Sequence, residues 1–530
     1  MPPTRLLDCN LTVGRRSTPR PENDLDVAAI LAALDHAGIA GGLAYHAHAR
    51  EYDPLQGNAC LQEIVAATPR LLPCFVVLPP GTGDFPGGEA LLRYLETGGA
   101  RAVRLFPRDH GYVFGETWVG GLLGTLEEAG VPVLIDLDQT DWREIDECLA
   151  AHPRLRLVVL RVGYRIDRMV YPLLDEHPGL RLESAFYPLH GGLESMVARF
   201  GAGRLVFGTG LPLWDPGAAI SHLLYAALPP AAQAEIGALN LEALLWSRTA
   251  PRPALTLATP ALPGEGFWAQ VRRGQPLAGV AVIDAHAHLG AWPAFRIAGD
   301  PWAAGMVAAM DACGISQAVI APHLAIGPDM SAGNNQAAAA VQQFPDRLAA
   351  YCTISPNYPE GEVVAELNRC LTQDCFRGIK LHPTTHDYPA NGPRYRPAWA
   401  MAHERELPVL IHTWDGDARC RPSLFEAIAH EFPRARVILG HSGATPSGIR
   451  EAIQAARNAP NIFLDLTKSL MHYGMVEEMV AGVGADRVLF GTDLPFIGCT
   501  SQMGHVAAAH IPDEDKARIF GQNARRLFGL

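Results

Sequence analysis

Val280-Ala281-Val282-Ile283-Asp284-Ala285-His286-Ala287-His288 is a short apolar run that ends in two histidines one residue apart. Successive side chains of a β-strand point to opposite faces, so residues two apart point the same way. Read as a strand, the stretch delivers His286 and His288 side by side from its end. Two imidazoles leaving one rigid element make half of a transition-metal site. An isolated His-x-His decides little by itself, so the reading turns on whether the chain supplies the other half.

Working outward, the first half opens with a strand at Arg5-Leu6-Leu7-Asp8-Cys9, then a helix capped at Asp24, running from Leu25 to Leu34 and stopped by Gly38. Strand-like runs follow at 42–45, 74–78, 102–106, 131–135, 157–160, 180–183 and 204–208, most of them separated by helical patterns such as 118–129. Eight strands alternating with helices in about 250 residues describe a (β/α)₈ barrel. The second half repeats the first. Asp8, Asp24, Gly38, Asn58, Arg104 and Pro132 recur as Asp284, Asp300, Gly314, Asn334, Lys380 and Pro408 at a shift of 276, since 284 − 8 = 276 and the other pairs agree. The shift then grows slightly: Arg204-Leu205-Val206-Phe207-Gly208-Thr209-Gly210-Leu211-Pro212 matches Arg487-Val488-Leu489-Phe490-Gly491-Thr492-Asp493-Leu494-Pro495, and Asn240 matches Asn523. Two unrelated barrels would not keep a constant offset, so the fold expected is α/β, two tandem (β/α)₈ TIM barrels. The domains are 1–250, a proline-rich linker at 251–276, and 277–530, with a short helix near 267–273 before the second barrel.

Barrel catalysis is built at the C-terminal ends of the strands. In the second repeat strand 1 ends with His286 and His288, strand 4 carries Lys380 and His382, strand 5 ends at His412, strand 6 at His441, strand 7 at Asp465 and strand 8 at Asp493. Histidines at ends 1, 5 and 6 with an aspartate at end 8 are the nitrogen–oxygen donor set that suits zinc, manganese or iron. Trp414 and Asp415, or Asp465 and Lys468, could touch a substrate, but each pair reads equally well as solvated loop or salt bridge. His323 and Asn357, ending strands 2 and 3, are weaker signals.

From Ile283-Asp284-Ala285-His286-Ala287-His288 to Asn523-Ala524-Arg525-Arg526-Leu527-Phe528-Gly529 the second half resembles the amidohydrolase superfamily, in the amidohydrolase-related branch that includes aminocarboxymuconate-semialdehyde decarboxylase-like enzymes. Gly440-His441-Ser442-Gly443 and Gly491-Thr492-Asp493-Leu494-Pro495 are typical of that branch. The resemblance implies that His286, His288, His412 and Asp493 hold one divalent metal, zinc before manganese or iron, and that His441 is a catalytic histidine beside it. In binuclear relatives a carboxylated lysine on strand 4 bridges two ions, which would give Lys380 that role and make His441 a ligand. Against this, the first repeat keeps a basic residue, Arg104, where the other ligands are gone. One metal is therefore preferred, with Lys380 structural or binding a substrate anion. His382 either reaches the same substrate or is simply placed by Pro383.

None of the five metal-site residues survives in the first repeat, where Asn10, Thr12, Asp136, Arg161 and Gly210 stand instead. His46-Ala47-His48 falls after strand 2 and is not assigned a metal. The first barrel is expected to be catalytically silent, with Asp136 and Arg161 forming a salt bridge in the emptied mouth. The whole then resembles an intramolecular pseudo-dimer, with further homo-oligomerisation open. Arg108, Arg161 or Arg165 could reach a neighbouring site; alternatively Arg104 and Arg161 could bind a regulatory anion.

The 530 residues carry a formal charge of −12, which argues against nucleic acid or an anionic membrane as partner. Ten cysteines lack paired spacing, which suits a reducing compartment. The start, Met1 to Asp8, has no signal-peptide core, and no apolar run is long enough to span a bilayer. A cytoplasmic location is expected. The function expected is a metal-dependent hydrolase or non-oxidative decarboxylase of a small carboxylate, lactone or amide, with a catalytically inert scaffold as the alternative.

Overall fold

The structure is a computed structural model that describes residues 4–17, 20–247, 257–261, 264–468 and 471–530. The chain forms two compact units. Met1–Pro188, Gly192–Gly264 and Ala294–Arg296 make one; Leu189–Gly191, Glu265–Pro293 and Ile297–Leu530 make the other.

The first unit holds strands β1 (Leu7–Val13), β2 (Gly41–His46), β3 (Leu71–Val76), β4 (Ala102–Leu105), β5 (Val133–Asp136), β6 (Leu157–Leu160), β7 (Leu180–Glu183) and β8 (Leu205–Val206). The second holds β9 (Val282–Leu289), β10 (Ile315–Pro322), β11 (Leu348–Thr353), β12 (Phe376–Leu381), β13 (Pro408–His412), β14 (Arg436–Gly440), β15 (Ile462–Asp465) and β16 (Val488–Leu489). Each set pairs parallel in sequence order. Just past the last strand the chain hydrogen-bonds back to the first, from Cys9 N to Phe207 O at 2.9 Å and from Ala285 N to Phe490 O at 3.0 Å. Two tandem (β/α)₈ barrels are what the alternation and the repeat predict.

The strands are buried on both faces because helices cover the outside and side chains fill the inside. All eight residues of β9 are buried, as are all seven of β1. Shared internal braces explain the constant offset. Asn58 pairs with both backbone groups of Val76, and Asn334 does the same with Thr353. Asn240 donates to the carbonyls of Ala202 and Leu205, and Asn523 to those of Ala485 and Val488.

Some boundaries differ from the sequence reading. The first long helix is Val27–Ala37, and its N-cap is Asp26, whose side chain accepts from Ala29 N; Asp24 lies two residues too early for that role. The end at Gly38 is as expected, with the glycine left-handed at φ 68°. β16 stops at Leu489, short of the run to Asp493. The short helix before the second barrel is Phe267–Arg272. Much of the proline-rich stretch, at 248–256 and 262–263, lies outside the described residues. Among those described, no helix is long and apolar enough to cross a membrane.

Candidate metal centre

The mouth of the second barrel is anchored by Asp284, which accepts from His286 N at 2.9 Å and Thr492 N at 3.1 Å, and from the Thr492 hydroxyl. One buried carboxylate thus ties the end of β9 to the chain after β16. Burial pushes its pKa up to about 7.

His286 and His288 are both buried, with ring centroids 5.2 Å apart. Each has its Nδ1 committed. His286 Nδ1 donates to Asp465 Oδ2 at 2.7 Å and His288 Nδ1 to the Ala321 carbonyl at 3.0 Å. Both Nε2 atoms therefore present lone pairs, and both face Asp493, whose Oδ1 lies 3.2 Å from His288 Nε2 and 3.9 Å from His286 Nε2. The three donor atoms lie within 4.8 Å of one another. Lone pairs on buried neighbours repel unless a proton or cation lies between them, and Lys380 Nζ, 3.1 Å from His286 Nε2, answers only one of the three. Ligands bonded to one zinc at about 2.0–2.2 Å sit about 3 Å apart, so the donor set fits a divalent ion.

Electrostatics agree. Burial, then the charge of Lys380, hold His286 well below the usual imidazole range; burial likewise lowers His288. Burial alone would raise Asp493, but the close approach of His288 and the surrounding imidazoles hold it well below the usual carboxylate range. Neutral imidazole and ionised carboxylate are the metal-binding forms.

The other expected residues stand around this group. Lys380 is buried on β12, with Nζ 3.1 Å from His286 Nε2, and burial lowers its pKa to about 8. His441 follows β14 in a left-handed backbone at φ 63°. Its Nδ1 donates to the Thr467 carbonyl at 3.0 Å, which leaves Nε2 free to exchange a proton. Its ring lies 4.8 Å from His286 and 4.9 Å from His412. His412 ends β13 outside the tight donor group; its ring stacks on His382 at 4.2 Å and runs parallel to exposed Trp414 at 6.2 Å. His382 Nδ1 accepts from Thr385 N at 3.2 Å, so its Nε2 carries the hydrogen and is a donor.

Two residues weigh more in the structure than in the sequence reading. Asp465, considered only as a substrate contact or salt-bridge partner, is buried and reaches His286 across 179 positions. An acid at the matching strand end of the first repeat, Glu183, was the available signal. His323 is buried and packs its ring parallel to those of His288 at 4.8 Å and Phe496 at 4.1 Å. Its Nδ1 donates to the Gly290 carbonyl at 2.8 Å.

In the first barrel the corresponding mouth is filled by its own ions. Arg104 Nη1 donates to Asn10 Oδ1 at 2.8 Å, and Nη2 pairs with Asp136. The guanidinium also lies 4.6 Å from the Tyr45 ring centroid. The expected Asp136–Arg161 bridge is only a long contact of 3.9 Å. Arg104 has the shorter approach to Asp136, and Arg161 turns to Asp138 at 3.0 Å. Arg104 and Arg161, weighed for a regulatory anion, thus both have carboxylate partners. His46 caps the helix Ala47–Glu51 by accepting from His48 N; Cys60 lies near both histidines.

Fold and mouth together define a barrel protein with a histidine–aspartate donor cluster at the strand ends. The chain belongs to the Amidohydrolase family, whose pattern it matches over residues 13–246 and 283–530. Among curated proteins it is similar to the gamma-resorcylate decarboxylase of Rhodococcus jostii (strain RHA1), 25% identical over 237 residues, covering 35% of this chain and 72% of that protein. It is also similar to the gamma-resorcylate decarboxylase of Rhizobium sp. (strain MTP-10005), 24% identical over 284 residues, covering 42% and 85%. Among solved structures, 5-carboxyvanillate decarboxylase from Sphingomonas paucimobilis aligns with 48% of this chain and all of its own, at 17% identity and a TM-score of 0.39.

Proposed function

We propose that the second barrel is a metal-dependent, non-oxidative decarboxylase of a small planar carboxylic acid, and that the first barrel is non-catalytic. The proposed domains are 1–250 for the silent barrel, 251–276 for the connection and 277–530 for the active one. The observation that carries the reading is the convergence of His286 Nε2, His288 Nε2 and Asp493 Oδ1, with both Nδ1 atoms turned away onto Asp465 and Ala321. Two further supports favour decarboxylation: the curated relatives are named for it, and the parallel rings of His382, His412 and Trp414 suit a flat substrate.

His286, His288 and Asp493, with His412, would hold one divalent ion, zinc before manganese or iron. When bound, the ion supplies an electrophile that fixes and polarises a substrate oxygen. Lys380 Nζ and the His382 Nε2–H would be the donors for the substrate's anionic end. His441 is held by Thr467 so that its Nε2 moves the proton. As the carbon–carbon bond to the carboxylate breaks and carbon dioxide leaves, the electron pair remaining on carbon takes that proton. Asp493 both holds the ion and, in the hydrolytic alternative, accepts a proton from water.

The test is metal content per purified chain, followed by a panel of small aromatic acids, aliphatic acids and lactones with carbon dioxide release monitored. About one ion per chain and carbon dioxide from an aromatic acid are expected, both lost in His286→Ala. Acid release without carbon dioxide would favour hydrolysis. A protein without metal and indifferent to His286→Ala would be an inert scaffold.

A further inference from the structure

Asp465 ends β15 with a buried carboxylate that serves two site histidines through one oxygen. Oδ2 accepts from His286 Nδ1 at 2.7 Å and from the backbone N–H of His441 at 2.9 Å. Oδ1 accepts from Thr467 Oγ1 at 2.7 Å and Thr467 N at 3.2 Å. The backbone of Asp465 is fixed as well: Ser442 Oγ donates to its carbonyl at 2.9 Å, and its N–H donates to Ser442 Oγ at 3.0 Å.

The segment it grips is unusual. His441, Ser442, Gly443 and Ala444 all have positive φ, at 63°, 46°, 80° and 65°. Three of these are not glycine, and such backbone persists only where its surroundings over-determine it. Asp465 and Ser442 supply that restraint on one side, and Thr413 Oγ1, accepting from Gly443 N at 2.8 Å, on the other.

The first repeat keeps the same wiring after losing the histidines. Glu183 Oε1 accepts from Asn10 Nδ2 at 3.0 Å and Oε2 from Arg161 N at 3.0 Å, with Arg161 left-handed at φ 56°. The backbone restraint is therefore common to both barrels. What is particular to Asp465 is an imidazole N–H on its carboxylate. A carboxylate behind a ligating histidine fixes the ring's tautomer and raises its basicity, and losing such a partner commonly weakens metal binding 10–100-fold.

We propose that Asp465 is a positioning residue which sets the donor strength and aim of His286 and, through the same oxygen, the placement of His441. This rests on the metal reading of the second barrel given above.

The test is calorimetric titration of metal-stripped wild type, Asp465→Asn and Glu183→Gln with Mn²⁺, alongside thermal unfolding of each metal-free protein. Asp465→Asn is expected to weaken Mn²⁺ binding about 10–100-fold, and Glu183→Gln to leave it unchanged. Thr467→Val, which removes the hydroxyl donor to Oδ1 and keeps the backbone bonds of Thr467 to Asp465 and His441, is expected to weaken binding in the same direction by less; it carries the test if Asp465→Asn does not fold. Equal Mn²⁺ affinity in wild type and the folded Asp465 or Thr467 variants overturns this inference alone. Wild type that takes up no Mn²⁺ overturns the metal reading and this inference with it.

Discussion

Asp493 holds a left-handed backbone at φ 62°, and the matching residue of the first repeat is Gly210 at φ 73°. The turn after the last strand demands positive φ in both barrels. The first meets the demand with the residue that adopts it freely, whereas the second keeps an aspartate there. Strain tolerated by a buried charged residue marks a position kept for its side chain.

Asp493→Gly should therefore separate stability from function. Relief of strain and removal of a buried charge offset the extra chain entropy of glycine, leaving the metal-free variant within about 1 kcal/mol of wild type or above it. Metal uptake should fall steeply. Calorimetric unfolding of the metal-free proteins checks the first half and metal analysis the second; a metal-free loss well beyond 1 kcal/mol would show that Asp493 chiefly stabilises the fold.

His441→Gln should leave metal content at the wild-type level while lowering kcat about 10²–10⁴-fold, the range for a lost general acid or base. The reason is geometric: Nδ1 is tied to Thr467 O, and only Nε2 is left for chemistry. Steady-state kinetics with metal analysis on the same samples provides the check. A fall from two ions per chain to one would make His441 a ligand and restore the bridging role for Lys380.

The strand ends were legible because the chemistry sits there at fixed places: His412 and Asp465 close their strands as the alternation of apolar runs implies. The offset of 276 was legible because Asp8 and Asp284, or Asn58 and Asn334, make the same bonds in both halves. What stayed hidden depends on three-dimensional closure. The partnership of Asp465 with His286 exists only because closure of the barrel brings strand 7 within one strand of strand 1, with strand 8 between them. Arg104 wins Asp136 because adjacent strands β4 and β5 bring them together in the interior, whereas Arg161 sits partly exposed at the rim. Nothing in the linear order ranks those distances. The Asp24 or Asp26 cap is a similar case, decided by a shift of two residues in the helix start.

Arg104 itself gives a stability prediction. It is buried, pairs with buried Asp136, and donates to Asn10. Arg104→Met strands Asp136, a loss of about 3–5 kcal/mol for a broken buried pair. Arg50 and Arg161, 3.8 and 3.9 Å from Asp136 Oδ2, hold the loss toward the lower figure. Combining Arg104→Met with Asp136→Leu should recover most of it, since replacing both partners removes the stranded charge. Urea unfolding of the three proteins tests this; a double variant no better than the single one would mean that the site cannot repack.

The last prediction concerns pH. Glu366 is buried at its side chain and accepts from Arg369 Nε at 2.9 Å and Nη2 at 2.6 Å, from Asn334 Nδ2 at 2.8 Å and from Ser331 Oγ at 3.1 Å. Burial alone would raise its pKa, but these donors outweigh it and lower the value to about 2. Because the folded value lies below the unfolded one near 4.3, the folded state is favoured by the ionised form. That contribution is complete above the unfolded pKa and disappears as pH falls through about 2. Glu366→Gln removes the charge and should cost about 1.5–3 kcal/mol at pH 7, the range for hydrogen bonds to a charged group. The difference between wild type and variant should shrink steadily from pH 5 toward pH 2. Denaturant midpoints measured across that interval decide it, because a difference independent of pH would place the cost in lost packing and not in the ionised carboxylate.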